Sequence, residues 1–516
     1  VSGAINASYS YLYHADTGYL TGRTLSFDLG TRSRTRIEAF EFDGHGVLQS
    51  HGDPGFRTEY TYDALERLDT KTQKVGFAER QKLKYTYLST ADYQTGRISG
   101  IQNLTNNTSQ TYGYNARGFL SSYTNTLNGD NYSYAYDAGG RLISDGTKSY
   151  TYDSYNNLRT ITSGGETTTL HCHDSARGTR ITDMVENGTS KYFTYDSMGN
   201  MTTYKGSSAT SAQNLYWTRG NMLWSGSVKA GKNFSYQYGP DNLRYKKTVN
   251  NTETLYFWDG DTLIGESDGV NDTQYVYDGS GIAGMLYNGA FLYFEKNLFG
   301  DVLKAYNMSG TEVASFTYDS YGNILSQSGS LAHAVKMRYR GYYWDEETGF
   351  YYLQSRYYDP SICRFISADQ YELLPTLSAS LGELNLYAYC SNNPVMYTDP
   401  EGKFGVVFWT YVVLGVGIGM IGGYSIGRSN GLTGWDLFGA TIGGGIVGGL
   451  LGAAGGYFIE AFLLGGGASG LSIGALSGGG FGLALSNGYT IATAAVQTLS
   501  IATAAGVAGT LMVFSD

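Results

Sequence analysis

YTYDSYNNL, Tyr150 to Leu158, is the stretch that decides the fold, because the chain repeats it. YTYDALERL (Tyr60 to Leu68), YAYDAGGRL (Tyr134 to Leu142), FTYDSMGNM (Phe193 to Met201) and FTYDSYGNI (Phe316 to Ile324) share its grammar, and YGYNARGFL (Tyr112 to Leu120) is a degenerate copy. In the five full copies an Asp is followed four residues later by Arg or Asn and five later by Leu, Met or Ile. Side chains alternate along a strand, so the aromatic-x-Tyr pair puts two rings on one face. The Asp or Asn then closes an Asx-turn, Gly supplies the positive φ a tight reversal needs, and the apolar residue opens the returning strand. Anchors at Asn115, Asp137, Asp153, Asp196, Asp278 and Asp319 give a hairpin unit of roughly 20 residues when the longer steps are counted as doubled. A single hairpin cannot bury its aromatic face, so the spacing predicts stacked hairpins forming one extended sheet.

These units resemble the YD repeats of Rhs proteins, of the C component of insecticidal toxin complexes and of teneurins. That resemblance implies a mainly β fold in which YD-repeat hairpins wind a spiral β-sheet shell, or cocoon, over residues 1–335.

From Met337 the sequence runs MRYRGYYWDEETGFYYLQSRYYDPSICRFISAD, and later LNLYAY (Leu384 to Tyr389), Asn392, Asn393, Pro394, Asp399, Pro400 and Gly402. This stretch, residues 336–403, resembles the Rhs repeat-associated core, with Cys363 where the family usually has Gly and Lys403 where a Leu commonly follows the last Gly. The resemblance implies an intramolecular aspartic-type autoprotease of a single turnover. It assigns Asp369 and Asp399 as the catalytic pair and Arg356 as their support, with the cut in the region Gly402, Lys403, Phe404. Two carboxyl groups a few ångström apart share a proton, giving a general base that activates water and a general acid that protonates the leaving nitrogen. Arg356 is suited to stabilise a carboxylate or an oxyanion, and tethering removes most of the entropic cost of encounter. From residue pattern alone, Asp369 and Asp399 read as turn formers and Arg356 as an ion-pair partner. Asp359, in the tight YYDP turn, reads as structural and Arg364 as a core salt bridge.

Composition narrows the remaining classes. Forty-eight Tyr and 72 Gly against 6 Pro favour β-structure with tight connections. A net charge of −10 without a basic stripe argues against a nucleic-acid partner. Cys172, Cys363 and Cys390 are too few and scattered for a disulfide framework and read as buried thiols. His171 and His173 in HCHD share a strand face and, with Asp174, hint at a metal, yet nothing else nearby completes a ligand set, so they read as turn or surface histidines. No metal and no cofactor is expected. The chain begins at Val1 without a leader pattern, as a piece of a longer protein would.

The last 113 residues, 404–516, carry only Arg428, Asp436, Glu460 and Asp516 as charged side chains. Uncharged runs over 404–427, 437–459 and 461–515 are long enough to span a bilayer, and Gly415, Gly419 and Gly423 recur at the spacing of a small-residue packing stripe. This Gly-rich apolar tail is expected to be helical and membrane-inserting, or else a linker or translocation segment ahead of a toxin, with a Gly-rich loop or β array or plain disorder inside the shell as the third alternative, since Gly this dense is unfavourable in a soluble helix. It contains no His and no Cys, which leaves little from which to build an enzymatic site.

The combined expectation is a secreted or cell-surface toxin of bacterial competition whose shell holds its own C-terminal segment as cargo, acting on a target-cell membrane, with an immunity protein and a delivery apparatus as further partners. The alternative is a cell-surface or wall-associated adhesion protein with a membrane-anchoring tail and no self-cleavage.

Overall fold

The computed structural model describes residues 6–400 apart from 16–17, 29–32, 44–46, 54, 90–93, 174–177 and 370–384, together with Gly402 and four short strands beyond it. Among the described residues there is no α-helix. Three antiparallel meanders follow one another: eleven strands from Asn6 to Ser133, eight from Ala135 to Gly206 and twelve from Leu215 to Ser328. Within each sheet every strand bonds to its neighbour in sequence, the topology a series of hairpins must give.

The repeated Asp makes the turn. Asp153 Oδ1 accepts the main-chain N–H of Tyr155 at 2.9 Å and of Asn157 at 3.0 Å, and Asp319 does the same for Tyr321 and Asn323. Asn115 accepts equivalently from Arg117 and Phe119, so the degenerate copy still folds as a repeat. The Arg or Asn four residues on has two tasks. It bonds the second oxygen of its own Asp, as Asn200 does with Asp196 at 2.8 Å, and it reaches the next turn, where Asn200 donates to the carbonyl of Gly220 at 2.7 Å. Asn157 similarly joins Asp153 to the carbonyl of Gly178. The conserved offset thus stitches successive turns into a row, each bond worth about 1 kcal/mol net.

Tyrosine locks the strands in register. Tyr62, Tyr114, Tyr136, Tyr152 and Tyr318 each donate their hydroxyl to a carbonyl of an earlier hairpin, on Leu48, Ile98, Leu120, Leu142 and Val302, at 2.6–2.9 Å. Burial pushes the Tyr62, Tyr136, Tyr152 and Tyr318 phenols above their ordinary value, which keeps them neutral donors. Of the apolar residues that close the motif, Leu68, Leu120, Leu142, Leu158 and Met201 are buried and Ile324 is half-buried.

The first and third sheets run side by side. Thr58 bonds Asp278, Lys71 bonds Ser280, Asn103 bonds Glu295 and Tyr132 bonds the Tyr318 carbonyl, at sequence separations of 220, 209, 192 and 186, and Lys148 of the second sheet continues the series with Asp319 at a separation of 171. The contacts advance together along both partners, so successive hairpins of one meet successive hairpins of the other.

After the third sheet comes a small four-stranded sheet, Tyr343–Asp345, Phe350–Tyr352, Tyr357–Asp359 and Arg364–Phe365, whose residues are almost all buried against the larger ones. Its main anchor is the DEETG segment. Arg244 of the third sheet, fully buried, makes a two-pronged pair with Asp345 at 2.6 and 3.0 Å, and Lys247 joins both Asp345 and Glu347. Tyr352 and Tyr236 close over the guanidinium at 4.3 and 4.6 Å, so its charge is met by carboxylate and by ring faces at once.

The helices expected over 404–516 fall largely outside the described residues. What is described there is strand: Val406–Val407, Leu471–Leu476, Gly480–Leu485 and Thr510–Val513. No helix among the described residues is long and apolar enough to cross a membrane.

Candidate functional site

The candidate site lies where three distant segments meet at one guanidinium. A tight turn joins Phe350–Tyr352 to Tyr357–Asp359, closed by the Leu353 N–H to the Arg356 carbonyl at 3.0 Å and eased by a positive φ of 63° at Gln354. Ser355 and Arg356 occupy that turn. Arg356 is buried, with Phe365 stacked 3.6 Å from its guanidinium carbon. Burial pushes its pKa down, and the Asp369 and Asp399 carboxylates oppose the change, so the group keeps its charge.

Both expected aspartates converge here. Arg356 Nη2 lies 3.0 Å from Asp369 Oδ2 and 3.1 Å from Asp399 Oδ2, so the two oxygens are no farther apart than those contacts laid end to end. The Asp399 side chain is 2% exposed and that of Asp369 21%. Asp399 is held by its N–H donating to Tyr342 Oη at 3.0 Å, and that hydroxyl is also bonded to Thr398 Oγ1 and Tyr389 Oη. Asp369 is fixed through its main chain, its N–H donating to the Leu386 carbonyl at 3.1 Å, while Arg356 Nη1 donates to the same oxygen.

The third segment is Gly402. Its carbonyl oxygen accepts from Ser355 Oγ at 2.7 Å and from Arg356 Nε. Its φ is +70°, and a Cβ there would stand 2.7 Å from the Leu353 carbonyl oxygen and 3.0 Å from Ser355 Oγ, so only Gly lets the main chain come so close here. Lys403 and Phe404 lie outside the described residues. Two anionic oxygens, one cation and a carbonyl with two donors on it form a set suited to acid–base work on that carbonyl.

Several expectations need adjusting. Asp359 is a turn residue as read, its Oδ1 accepting from Ser361 N–H and Oγ at 2.9 and 2.7 Å. Arg364, expected in a salt bridge, instead donates to the Thr179 carbonyl at 2.6 Å and to Asn385 Oδ1. Cys363 stands at φ 57°, which is why Gly suits that position. Cys363 and Cys390 are buried, and burial pushes both thiols up; Cys172 is half-buried.

Ser355 escaped the sequence reading because nothing in SRYYDP marks a serine that will face a carbonyl 47 residues on. The asparagines of the NNP segment were also unassigned. Asn392 and Asn393 donate to the carbonyls of Asn156 and Gly140, and Asn385 to that of Asn156, so they grip the turns of the YD repeats. Tyr387 does likewise with the Gly199 carbonyl at 2.8 Å.

A family model described as Teneurin YD-shell matches residues 121–395. The tRNA3(Ser)-specific nuclease WapA of Bacillus spizizenii is 33% identical over 291 residues, 54% of this chain and 12% of that protein. The tRNA nuclease WapA of Bacillus subtilis is 32% identical over the same length and with the same shares. This chain therefore aligns with only about an eighth of those relatives. Among solved structures, the crystal structure of TcdB2-TccC3-Cdc42 is similar with a TM-score of 0.51 at 20% identity, over 75% of this chain and 23% of that one, a likeness of fold.

Proposed function

The chain belongs to the teneurin YD-shell family, and from that premise we propose that it is a Rhs-type toxin vessel that cuts itself at the Gly402 carbonyl and holds the released C-terminal segment inside its shell. The observation that carries this reading is the meeting of Asp369, Asp399 and the Gly402 carbonyl on Arg356. Two carboxyl groups brought this close can share one proton between them, which is the division of roles that acid–base cleavage needs. In this reading the more deeply buried Asp399 takes the part of the acid and the more exposed Asp369 that of the base.

In the reaction Asp369 removes a proton from a water that attacks the Gly402 carbonyl carbon. Ser355 and Arg356 stabilise the oxyanion that forms, and Asp399 donates its proton to the departing nitrogen of residue 403. Substrate and catalyst share one chain, so a slow intrinsic step suffices.

The domain scheme follows: shell over 1–335, core over 336–403 and an effector or membrane segment over 404–516. The tail acts at a target-cell membrane after release, and the protein works outside the cell that makes it, delivered by an export apparatus and matched by an immunity protein. The WapA relatives are named as tRNA nucleases, and this chain aligns with 12% of each.

The competing reading is a surface adhesion protein in which the Arg356 clasp is purely structural. Purified chain decides between them. Denaturing electrophoresis resolving pieces of about 400 and about 110 residues, which co-elute as one particle under native conditions, supports the vessel; an intact chain that partitions into detergent supports adhesion.

A further inference from the structure

We propose that His171, His173 and Asp183 form a divalent-metal site on the second sheet. His171 ends the strand Glu166–His171, and Asp183 begins the strand Asp183–Glu186 directly opposite it in the ladder. His173, two residues on, lies on the same side, its ring 5.1 Å from that of His171. One donor atom from each of the three side chains lies within 4.8 Å of the other two. The carboxylate is already oriented: Asp183 Oδ1 accepts from Thr182 Oγ1 at 3.0 Å, and Oδ2 meets His171 Nδ1 at 2.6 Å. Such outer bonds fix ligands in metal centres.

The neighbouring residues sharpen the assignment. Cys172, between the two histidines, packs against the hydrophobic core and so stands away from the cluster. Asp174, the acid the sequence offers first, lies outside the described residues. The third ligand comes instead from the opposing strand, which a linear spacing rule cannot show.

Two imidazoles and a carboxylate suit Zn(II), Ni(II) or Cu(II) better than Mg(II) or Ca(II), which prefer all-oxygen sets. Bonds of about 2.0–2.2 Å bring tetrahedral ligands to roughly 3.3 Å apart. Rotation of side chains that are 26% and 20% exposed at His171 and Asp183 opens their 2.6 Å contact to that spacing and brings the more distant donors in to it. The ion replaces the hydrogen bond between His171 Nδ1 and Asp183 Oδ2, the neutral imidazole carrying its proton on Nε2 when Nδ1 ligates, and water fills the open position. Bound metal clasps residues 171–173 to Asp183 across the connection between the two strands.

Calorimetric titration of the full chain with zinc chloride tests this. Wild type is expected to take up one equivalent with micromolar affinity and to melt at a higher temperature with zinc present. His173→Ala and Asp183→Asn each weaken binding by about tenfold or more, and His171→Ala/His173→Ala removes it. His333→Ala leaves it unchanged. Asp183→Asn is nearly isosteric and keeps the fold in place. Absence of zinc uptake by wild type, uptake unaltered in the double variant, or loss of uptake in His333→Ala overturns the proposal.

Discussion

Gly402→Ala is the most informative single change, because its cost is readable atom by atom. The added methyl would stand 2.7 Å from the Leu353 carbonyl oxygen, against an ordinary contact of at least 3.4 Å, so the backbone at 402 has to retreat by roughly 0.7 Å. The left-handed φ of +70° adds about 1–2 kcal/mol for any residue with a Cβ. A retreat of that size pulls the carbonyl off Ser355 Oγ and Arg356 Nε, and a reacting group misplaced by about 1 Å costs on the order of a hundredfold in rate. Self-cleavage followed over time on denaturing gels is therefore expected to slow by about a hundredfold or more. The thermal midpoint should barely move, since residue 402 lies outside the large sheets. Cleavage at the wild-type rate in Gly402→Ala would refute the claim that this carbonyl is the one attacked.

Other consequences are equally open to measurement. Ser355→Ala removes one of two donors to the same oxygen and should slow cleavage by about 10²–10³-fold without altering stability; an unchanged rate assigns Ser355 to structure alone. Arg244→Met strands Asp345 in a buried site and should lower stability by about 3–5 kcal/mol in denaturant unfolding, with earlier protease access to the four-stranded sheet; a loss under about 1 kcal/mol would show that Lys247 suffices. Lys296 has its pKa pushed down to about 7, first by burial and then by the Lys71 charge, with Asp278 opposing. Between about pH 7 and 10 the unfolded chain therefore binds a proton that the folded one lacks, and stability rises with pH there. The slope is up to about 1.4 kcal/mol per pH unit. In Lys296→Met this slope should vanish, and parallel wild-type and variant curves would contradict the assignment.

How much of this could be read beforehand depends on the range of each interaction. The turns were legible because Asp153 and its equivalents bond main-chain groups two and four residues away. The task of the fourth residue was only half legible, since Asn157 and Asn200 find their second partners in the next hairpin, 21 and 20 residues on. Local pattern carried nothing about the pairing of the first sheet with the third, where Lys71 meets Asp278 and Asn103 meets Glu295, because neither residue type is unusual for its strand. At the candidate site, Arg356, Asp369 and Asp399 came from a family resemblance and are found on one another. Ser355 and the asparagine grip of 385, 392 and 393 on the YD turns needed coordinates. Arg364 shows the reverse error: a buried Arg suggested an acid, and main-chain and amide oxygens serve instead.

The central claim is that the two carboxyl groups on Arg356 cut the chain at Gly402. Intact-mass spectrometry of the purified protein, run beside Asp369→Asn and Asp399→Asn, tests it most directly. The account predicts two wild-type masses, the shorter species beginning at Lys403, and a single full-length mass for each variant. One undivided mass for all three proteins, or cleavage that persists in both variants, would contradict it.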